Sequence, residues 1–431
     1  MAEVQVLTPA QREVLQGALP TPPDWVEITS LRDAQDVLRS QKVQMVKYPA
    51  DQLTRAGAVS RIDGPAHSLR RKMLQRLVRR DGHAWFRETV LYPTVERNLT
   101  KILGSNPAGA AVPMDLVAFS DRVNAELAAA IAGFDGLDTE EGFEEFEKLD
   151  NVADRLSRLA SRGILYNDID EGIIADGVKA TEEIRDRFYK PALARRREMI
   201  QSVEAGEMAE DDLPRDLTTL IAMHLDPAHE ADPEIGLRDA MVVFRGGSES
   251  PSQGLTFAVH YLTQWLAKHP EDQSRCTDPD FVLAVINETL RVGIGSSMTI
   301  RHAVEDLTLS SGKEIKAGQY ILVRRHAVNR DPIYGPDAGE FNPHRQVPDG
   351  VYPYGVAFGS GPHMCFGVPI VLGNEGIDGS LVYQLRRLYE LGIRPDPDNP
   401  PTRRTYDLHT EVRAQDMTHF GTYPVLLGGT R

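Results

Sequence analysis

The residue with the most distinctive chemical surroundings is Cys365, which lies in the stretch Phe-Gly-Ser-Gly-Pro-His-Met-Cys-Phe-Gly at residues 358–367. Three glycines in ten residues indicate a backbone that adopts positive φ angles or comes close to another group. The sequence after the cysteine predicts a helix start, with Pro369 tolerated in the first turn. Because a helix N-terminus favours the thiolate, this cysteine is suited to bind the axial position of a metal.

Three other interpretations of Cys365 stay open from the residues alone. Most single cysteines are buried and chemically inert. A nucleophilic cysteine needs a histidine base, and His363, only two residues away, is awkwardly placed to act on that sulfur. A zinc site would need further cysteine or histidine ligands at regular spacing, and none cluster around this position.

A second unusual segment is Gly-Gly-Ser-Glu-Ser-Pro at residues 246–251, inside a helical pattern that spans Leu237–Lys268. An interior glycine costs a helix about 1 kcal/mol relative to alanine, and an interior proline costs about 3 kcal/mol. We therefore expect a local opening or kink in this helix. The simpler interpretation is a kinked helix with a structural role only.

The stretch around Cys365 has Phe, Gly, His, Cys and Gly at every fixed position of Phe-x-x-Gly-x-His-x-Cys-x-Gly, and so resembles the haem-binding signature of the cytochrome P450 family. The resemblance implies that Cys365 is the axial thiolate of haem b iron and that His363 hydrogen-bonds a haem propionate. Thiolate ligation favours O–O cleavage. Residues 246–251 resemble the family's Ala/Gly-Gly-x-Asp/Glu-Thr motif, which implies that Glu249 is the acid and Ser250 the alcohol of proton delivery.

A Glu-x-x-Arg motif and a Phe-x-Pro motif strengthen the resemblance. Glu288 and Arg291 are three residues apart on a helical stretch, where their side chains can pair. Such a pair alone indicates little, since surface pairs of this spacing are common and weak. In the family, an arginine after Phe-x-Pro completes the pair, and Arg345 in Phe341–Arg345 matches it. The resemblance assigns these three residues to the integrity of the fold and haem pocket.

Three more residues match positions where the family binds the haem propionates. His67 and Arg71 are four residues apart on one helical stretch, and Arg301 lies on a later segment. Two carboxylates buried against protein need such charge-assisted donors. Each residue taken singly is more simply a solvated surface charge. Their occurrence in the family's order favours the resemblance, which covers the chain from about residue 25 onward.

Arg245 directly precedes Gly246, where the family commonly has an apolar residue that faces the substrate. A buried arginine needs an anionic partner or many hydrogen bonds. Glu249, four residues later, is an internal candidate, and a carboxylate of the substrate is the other. The stretch 293–299, which includes Ser297, is polar. We expect Arg245, Gly246 and Ser297 to contact a polar or acid-bearing substrate.

Residues 69–80 predict an amphipathic helix on an otherwise acidic protein. Its expected apolar stripe is Leu69, Met73, Leu74, Leu77 and Val78, and its basic residues are Arg70, Arg71, Lys72, Arg76, Arg79 and Arg80. A run of charge is usually a solvated face. In the family this helix borders the thiolate side of the haem, where acidic ferredoxins dock, so we expect electrostatic steering of such a partner.

The elements that position these residues are mainly helical. Helical periodicity spans Asp115–Ile131, Phe143–Leu159, Thr181–Ala205, Leu237–Lys268 and Asp280–Val292, and Ser30 is expected to cap a helix that ends near Leu38. Strands are expected at Trp25–Ile28, Leu307–Leu309, Lys313–Ile315, Tyr320–Arg324 and Thr422–Leu427. Pro424 would confine the last strand to a sheet edge. The lack of βαβ alternation disfavours a Rossmann-type sheet.

We therefore expect a mainly α protein with a small β portion. An N-terminal arm at 1–24, shorter than the family norm, would precede one haem-thiolate monooxygenase domain at 25–431. The haem would lie between the long helix and the cysteine loop. Residues 370–374, Ile-Val-Leu-Gly-Asn, depart from the family's Leu-Ala-Arg-x-Glu, although haem binding should survive that change.

Composition agrees with an ordinary globular enzyme. The 431 residues are 41% hydrophobic and 26% charged, with a net charge of −15 that argues against nucleic-acid binding. No apolar run approaches the ~18–20 residues of a membrane span, and the first residues lack the layout of a signal peptide. Two cysteines cannot build a disulfide framework. We expect a cytoplasmic monomer.

The resemblance implies a bacterial-type monooxygenase that inserts one oxygen atom from O2 into an organic substrate. Electrons would come from NAD(P)H through ferredoxin reductase and ferredoxin. A peroxide-driven peroxygenase is the second hypothesis, and the Glu249–Ser250 pair argues against it. A haem-binding sensor or carrier without turnover is the third, and it would need neither proton delivery nor a glycine-weakened helix.

Overall fold

The computed structural model describes residues 25–47, 54–104, 110–162, 171–293, 298–374, 376–403 and 419–428. The chain divides into two compact units, each assembled from several chain segments. The first unit comprises residues 1–25, 44–77 and 129–244, and the second comprises residues 26–43, 78–128 and 245–431. The expected arm at 1–24 lies outside the described residues. Within the described ranges, no helix is both long and apolar enough to cross a membrane.

Helices make up most of the first unit and are the main regular element of the second. The α-helices of the described residues are α1 (Leu31–Arg39), α2 (Gly64–Leu74), α3 (Arg80–Phe86), α4 (Tyr92–Leu103), α5 (Leu116–Ala132), α6 (Glu140–Arg162), α7 (Glu171–Ile184), α8 (Lys190–Glu204), α9 (Leu217–Ala222), α10 (Pro227–Ala231), α11 (Pro233–Leu266), α12 (Pro279–Val292), α13 (Arg325–Val328), α14 (Val368–Leu372) and α15 (Ser380–Glu390). The Ser30 hydroxyl accepts a hydrogen bond from the Asp33 amide and caps α1, as predicted.

Strands are short. Those of the described residues are β1 (Val26–Ile28), β2 (Val43–Met45), β3 (Val112–Asp115), β4 (Met298–Ala303), β5 (Leu307–Thr308), β6 (Glu314–Ile315), β7 (Tyr320–Arg324), β8 (Gly373–Asn374), β9 (Ile377–Asp378), β10 (Arg394–Pro395), β11 (Thr402–Arg403), β12 (Phe420–Thr422) and β13 (Pro424–Leu427). The strands expected at Leu307–Leu309 and Lys313–Ile315 are present as β5 and β6, which pair antiparallel.

The first unit is helical and has an aromatic core. The Phe146 ring packs against Phe134 and Phe244, each with its ring centroid 4.9 Å away, and against Phe188 at 5.2 Å. The expected helix at 69–80 differs from the structure. Here α2 ends at Leu74, a 3-10 turn spans Gln75–Val78, and Leu69 is exposed. Arg70 lies on the buried face instead.

The second unit combines helices with small sheets. In one sheet β7 lies between β1, which is parallel to it, and β4, which is antiparallel, and α1 packs on this sheet. In another, β13 lies between β10 and β3. The expectation that Pro424 confines this strand to an edge is therefore wrong. Pro424 is the first residue of β13, where a missing N–H is tolerated.

Candidate functional site

The cysteine loop is held by backbone hydrogen bonds and left-handed glycines. The Cys365 amide donates to the Phe358 carbonyl at 2.8 Å, which closes the loop. Gly359 and Gly361 have φ values of +74° and +70°, a region that glycine adopts without strain. The Cys365 side chain is exposed, and the Gly367 amide donates to its Sγ at 3.4 Å. The loop therefore presents a sulfur that also accepts a backbone hydrogen bond.

The C-terminal end of α1 supports this loop, a contact that sequence reasoning missed. Arg39 Nε donates to Ser360 Oγ at 3.0 Å. A β-carbon built on Gly361 would clash with the Leu38 carbonyl and lie 2.8 Å from the Arg39 Cα. Only glycine fits this close approach, so α1 fixes where the cysteine loop lies within the second unit.

The helix that follows Cys365 is short. The five residues of α14 end at Leu372, the next residue Gly373 has a φ of +93°, and the β8–β9 hairpin follows. The break falls within residues 370–374, where the sequence departs from the family pattern. So short a helix has little macrodipole, because that dipole is a sum over aligned peptide units. The expected stabilisation of a thiolate by a helix N-terminus is therefore weak.

Glu288, Arg291 and Arg345 lie together in a buried cluster. Arg291 donates to both Glu288 oxygens, from Nη2 at 2.6 Å and from Nε at 2.8 Å, and Arg345 Nε donates to Glu288 Oε1 at 2.9 Å. The remaining Arg291 donors reach the carbonyls of Asn329, Ala338 and Glu340. Every charge thus has an opposite charge or a carbonyl partner, as a buried ion cluster requires.

Asn329 joins this cluster to the segment that leads into the cysteine loop. Its Nδ2 donates to the Arg291 carbonyl at 3.0 Å, and its Oδ1 accepts from the Val356 amide at 2.8 Å. Asn329 is fully buried. No motif predicts a role for this asparagine, because its partners Arg291 and Val356 lie far from it in sequence.

The middle of α11 presents a strip with open space beside it. Gly246 and Ser250, one helical turn apart, are exposed although they lie inside a 34-residue helix. A β-carbon built on Gly246 would have no atom within 4 Å, counted over the described residues. Arg245 and Glu249 are half-buried, and Gln253 Nε2 donates to Glu249 Oε1 at 3.4 Å. The helix continues through Pro251 without a break in its assignment.

The comparisons with known proteins point to one family. A family model described as Cytochrome P450 matches residues 280–371, which contain Glu288, Arg291, Arg345 and Cys365. Over these residues the chain is similar to the cytochrome P450 family. Cytochrome P450 3A13 of Mus musculus is 29% identical over 172 residues, or 34% of this chain. That match spans 33% of the mouse protein, so the chain covers about a third of this relative's length.

Solved structures extend the P450 fold over nearly the whole chain. P450BioI, in complex with an acyl carrier protein ligated to hexadec-9Z-enoic acid, matches with a TM-score of 0.65 at 16% identity, covering 94% of this chain and 92% of that one. CalO2 matches with a TM-score of 0.67 at 18% identity, covering 97% and 95%. These matches confirm the expected mainly α fold with a small β portion.

The residues expected to bind propionates in a P450 fall in both units. In the second unit, Arg301 on β4 is buried and its Nη1 donates to Thr299 Oγ1 and to the Ile300 carbonyl, both at 2.9 Å. His363, in a short 3-10 turn, is half-buried. In the first unit, α2 carries a buried His67 and a half-buried Arg71. Ser297 lies outside the described residues.

The second unit has features that fit a P450 haem. An exposed thiol, an imidazole and a buried guanidinium are the donors that iron and propionates need. A β-carbon built on Gly246 would meet no described atom within 4 Å, so α11 is open at this position. The five apolar residues of α14 are only half-buried, so they leave apolar surface near the cysteine. No group of three His, Cys, Asp or Glu side chains that could hold a metal ion occurs in the described part of the chain.

Proposed function

We propose that this chain is a haem-thiolate monooxygenase that inserts one oxygen atom from O2 into a small organic substrate. The observation that carries the proposal is the exposed Cys365 thiol on a loop closed by the Phe358 carbonyl and braced by α1. Bound haem b would supply the redox chemistry that activates O2.

Cys365 would hold the iron, and the Gly367 amide would moderate the charge on its sulfur. A hydrogen bond to the charged form of a group favours that form, so the 3.4 Å contact supports the thiolate. Within the second unit, His363 and Arg301 would bind the propionates. Cationic donors are needed there, because a buried carboxylate without a partner is costly.

Glu249 and Ser250 would move protons along α11. The half-buried Glu249 carboxylate can take a proton from solvent, and the exposed Ser250 hydroxyl beside Gly246 can pass it on. Positioned proton donors typically contribute ~10²–10⁴ to a rate. Serine keeps the hydroxyl of the family's threonine but lacks its restricted χ1, so the neighbouring backbone must do more of the positioning.

Arg245 would select a polar or acid-bearing substrate. It is half-buried beside the open strip of Gly246, where its planar guanidinium could bind a carboxylate through two hydrogen bonds. Arg245→Leu should abolish the haem spectral shift caused by an acid while sparing the shift caused by its neutral ester. Equal weakening of both ligands would contradict the assignment.

Electrons would come from NAD(P)H through ferredoxin reductase and ferredoxin. Lys72 and Arg76 lie one turn apart and are exposed in the first unit, and Leu69 is exposed beside them. A basic surface of this kind attracts acidic partners and raises their association rate. Arg70 does not contribute to it, because its side chain is buried.

Spectroscopy of the reduced CO complex tests the central proposal. The wild-type protein should show the strongly red-shifted Soret band of thiolate-ligated haem, and Cys365→Ser should lose it. Cys276→Ser is the matched control, because Cys276 is the other cysteine of the chain and is buried within the second unit, where its Sγ donates to the Asp272 carbonyl. Loss of the band in both variants, or its absence in the folded wild type, would contradict axial ligation by Cys365.

The source of oxygen separates the monooxygenase from its two alternatives. Product formation should require NAD(P)H, reductase and ferredoxin, and hydrogen peroxide should not replace them. Peroxide-driven turnover without reductant would support a peroxygenase. A protein that binds haem but forms no product from a panel of organic acids, with either the electron-transfer partners or hydrogen peroxide, would be a sensor or carrier.

A further inference from the structure

Pro251 leaves a weak point in α11 directly after Glu249 and Ser250. Proline has no N–H, so the Gly247 carbonyl, four residues earlier, loses its usual helical donor. Gly246 and Gly247 add two residues with poor helix propensity on the N-terminal side. The helix nevertheless continues across Pro251. Groups outside α11 must therefore hold the helix together at this position.

Helix α5 supplies these groups on both sides of Pro251. The Ser252 side chain is buried, and its hydroxyl donates to the Asp121 carboxylate. The Ser120 hydroxyl donates to the Ser252 carbonyl at 2.9 Å. One turn earlier, a β-carbon built on Gly247 would lie only 3.1 Å from the Ala128 β-carbon, so the two helices are in close contact there as well.

The supporting side of α5 is itself fixed by buried hydrogen bonds. Asn124 Nδ2 donates to the Ser120 carbonyl at 2.9 Å, and Gln384 Nε2 on α15 donates to Asn124 Oδ1 at 3.2 Å. Ser120, Asn124 and Gln384 are all almost completely buried. Buried polar groups that are paired in this way rigidify their surroundings, since each group would lose its partner if the helices separated.

We infer that Ser252, through Asp121 and Ser120, is a positioning residue that holds α11 across Pro251 and so fixes Glu249 and Ser250. Ser252 acts through the helix backbone, because its own hydroxyl is directed to α5. The effect on oxygen chemistry rests on the proposed function, whereas the effect on the helix does not. A hydrogen bond to a charged acceptor, made by a buried donor, is strong enough to compensate for a missing helical bond.

Hydrogen–deuterium exchange of the haem-loaded protein tests the inference. Ser252→Ala should speed exchange of the amides at residues 252–254, whose helical bonds cross Pro251, by roughly tenfold. Ser248→Ala is the matched control: Ser248 lies one turn earlier on α11, and its hydroxyl donates to the Arg245 carbonyl of the same helix at 3.4 Å. It should change those rates by less than about threefold. Asp121→Asn keeps a hydrogen-bond acceptor for Ser252, so its exchange rates at residues 252–254 should be closer to those of the wild type than the rates of Asp121→Ala are.

A proline-free background distinguishes positioning from a general structural role. Pro251→Ala restores the missing donor, so adding Ser252→Ala to it should no longer accelerate exchange. Equal acceleration with and without Pro251, or equal effects of the serine variants at 248 and 252, would overturn the inference. In turnover, Ser252→Ala should lower product formed per NAD(P)H while the reduced CO band stays unchanged. If the wild type makes no product, the proposed function fails and the exchange result still decides the positioning role.

Discussion

Replacing Arg70 with methionine should destabilise the first unit strongly, because two buried carboxylates depend on its charge. Arg70 Nε lies 2.6 Å from Asp226 Oδ2, and Nη1 lies 3.3 Å from Asp239 Oδ2, with all three side chains at most 5% exposed. His229 Nε2, 2.9 Å from Asp239 Oδ2, completes this buried ion cluster. Removing one partner of a buried ion pair typically costs about 3–5 kcal/mol. Methionine keeps most of the side-chain volume, so we expect that loss in the free energy of unfolding.

The loss should depend on pH. Burial raises the pKa of Asp226, but the Ala228 amide and the Arg70 guanidinium outweigh burial and hold this pKa below its usual value. In the wild type, Asp226 therefore stabilises the fold above about pH 4, and this stabilisation is lost as the pH falls through the folded-state pKa. Without Arg70, burial dominates and raises the folded-state pKa, so the variant loses stability as the pH rises above about 4. The difference in free energy of unfolding between the variant and the wild type should be largest near neutral pH and smaller at acidic pH.

Urea unfolding followed by circular dichroism, at neutral pH and near pH 4.5, measures both effects. Lys72→Met is the control on the same helix; Lys72 is exposed, so the change should stay within about 0.5 kcal/mol. Adding Asp226→Asn and Asp239→Asn to the Arg70 variant should recover most of the stability, because no buried charge is then left unpaired. A loss below about 1 kcal/mol, or one that is the same at both pH values, would refute the reasoning.

Two more predictions concern the second unit. Glu288→Gln should lower the free energy of unfolding by about 3 kcal/mol or more, because it leaves the buried Arg291 guanidinium without its counter-charge. Urea unfolding measures this change. A loss below about 1 kcal/mol would show that the carbonyl partners of Arg291 are sufficient to stabilise its charge. Gly361→Ala should lower the ratio of haem to protein, since its β-carbon would clash with the Leu38 carbonyl. Gly318→Ala is the matched control. Gly318 has a φ of +88° and no described atom within 4 Å of a built β-carbon, so this change introduces backbone strain alone. Equal ratios of haem to protein in the two variants would show that the close approach of Gly361 to α1 is unimportant.

Local spacing was sufficient to predict the parts of the site that depend on near neighbours in sequence. Glu288 and Arg291 share one helical face, and a three-residue separation alone brings them together. The glycines around Cys365 indicate unusual backbone angles whatever packs against them. The Ser30 cap is likewise a contact over three residues. For such features the sequence contains all of the interacting groups.

Features that depend on distant segments could not be predicted in this way. Pro424 appeared to require a sheet edge, yet it begins a strand with neighbours on both sides, one of them more than 300 residues away. The sequence predicted an apolar stripe that includes Leu69. This prediction took no account of Asp226 and Asp239, which lie far along the chain and pair with Arg70 on the buried face. The Ser252–Asp121 contact joins two helices that no motif connects. In each case a partner that periodicity cannot identify decides which side of an element is buried.

The buried ion cluster has a consequence for the neighbouring residues of α2. Successive residues of a helix are rotated by about 100°, so the direction in which Arg70 points also determines the directions of His67 and Arg71. An apolar stripe would tolerate rotation of α2, because hydrophobic burial is not directional. Charged hydrogen bonds from Arg70 to two fixed carboxylates do not tolerate it, since they require particular distances and angles. Arg70→Leu would remove the cost of burying a charge on α2, but it would leave Asp226 and Asp239 unpaired with Arg70 and the orientation of His67 and Arg71 less well defined.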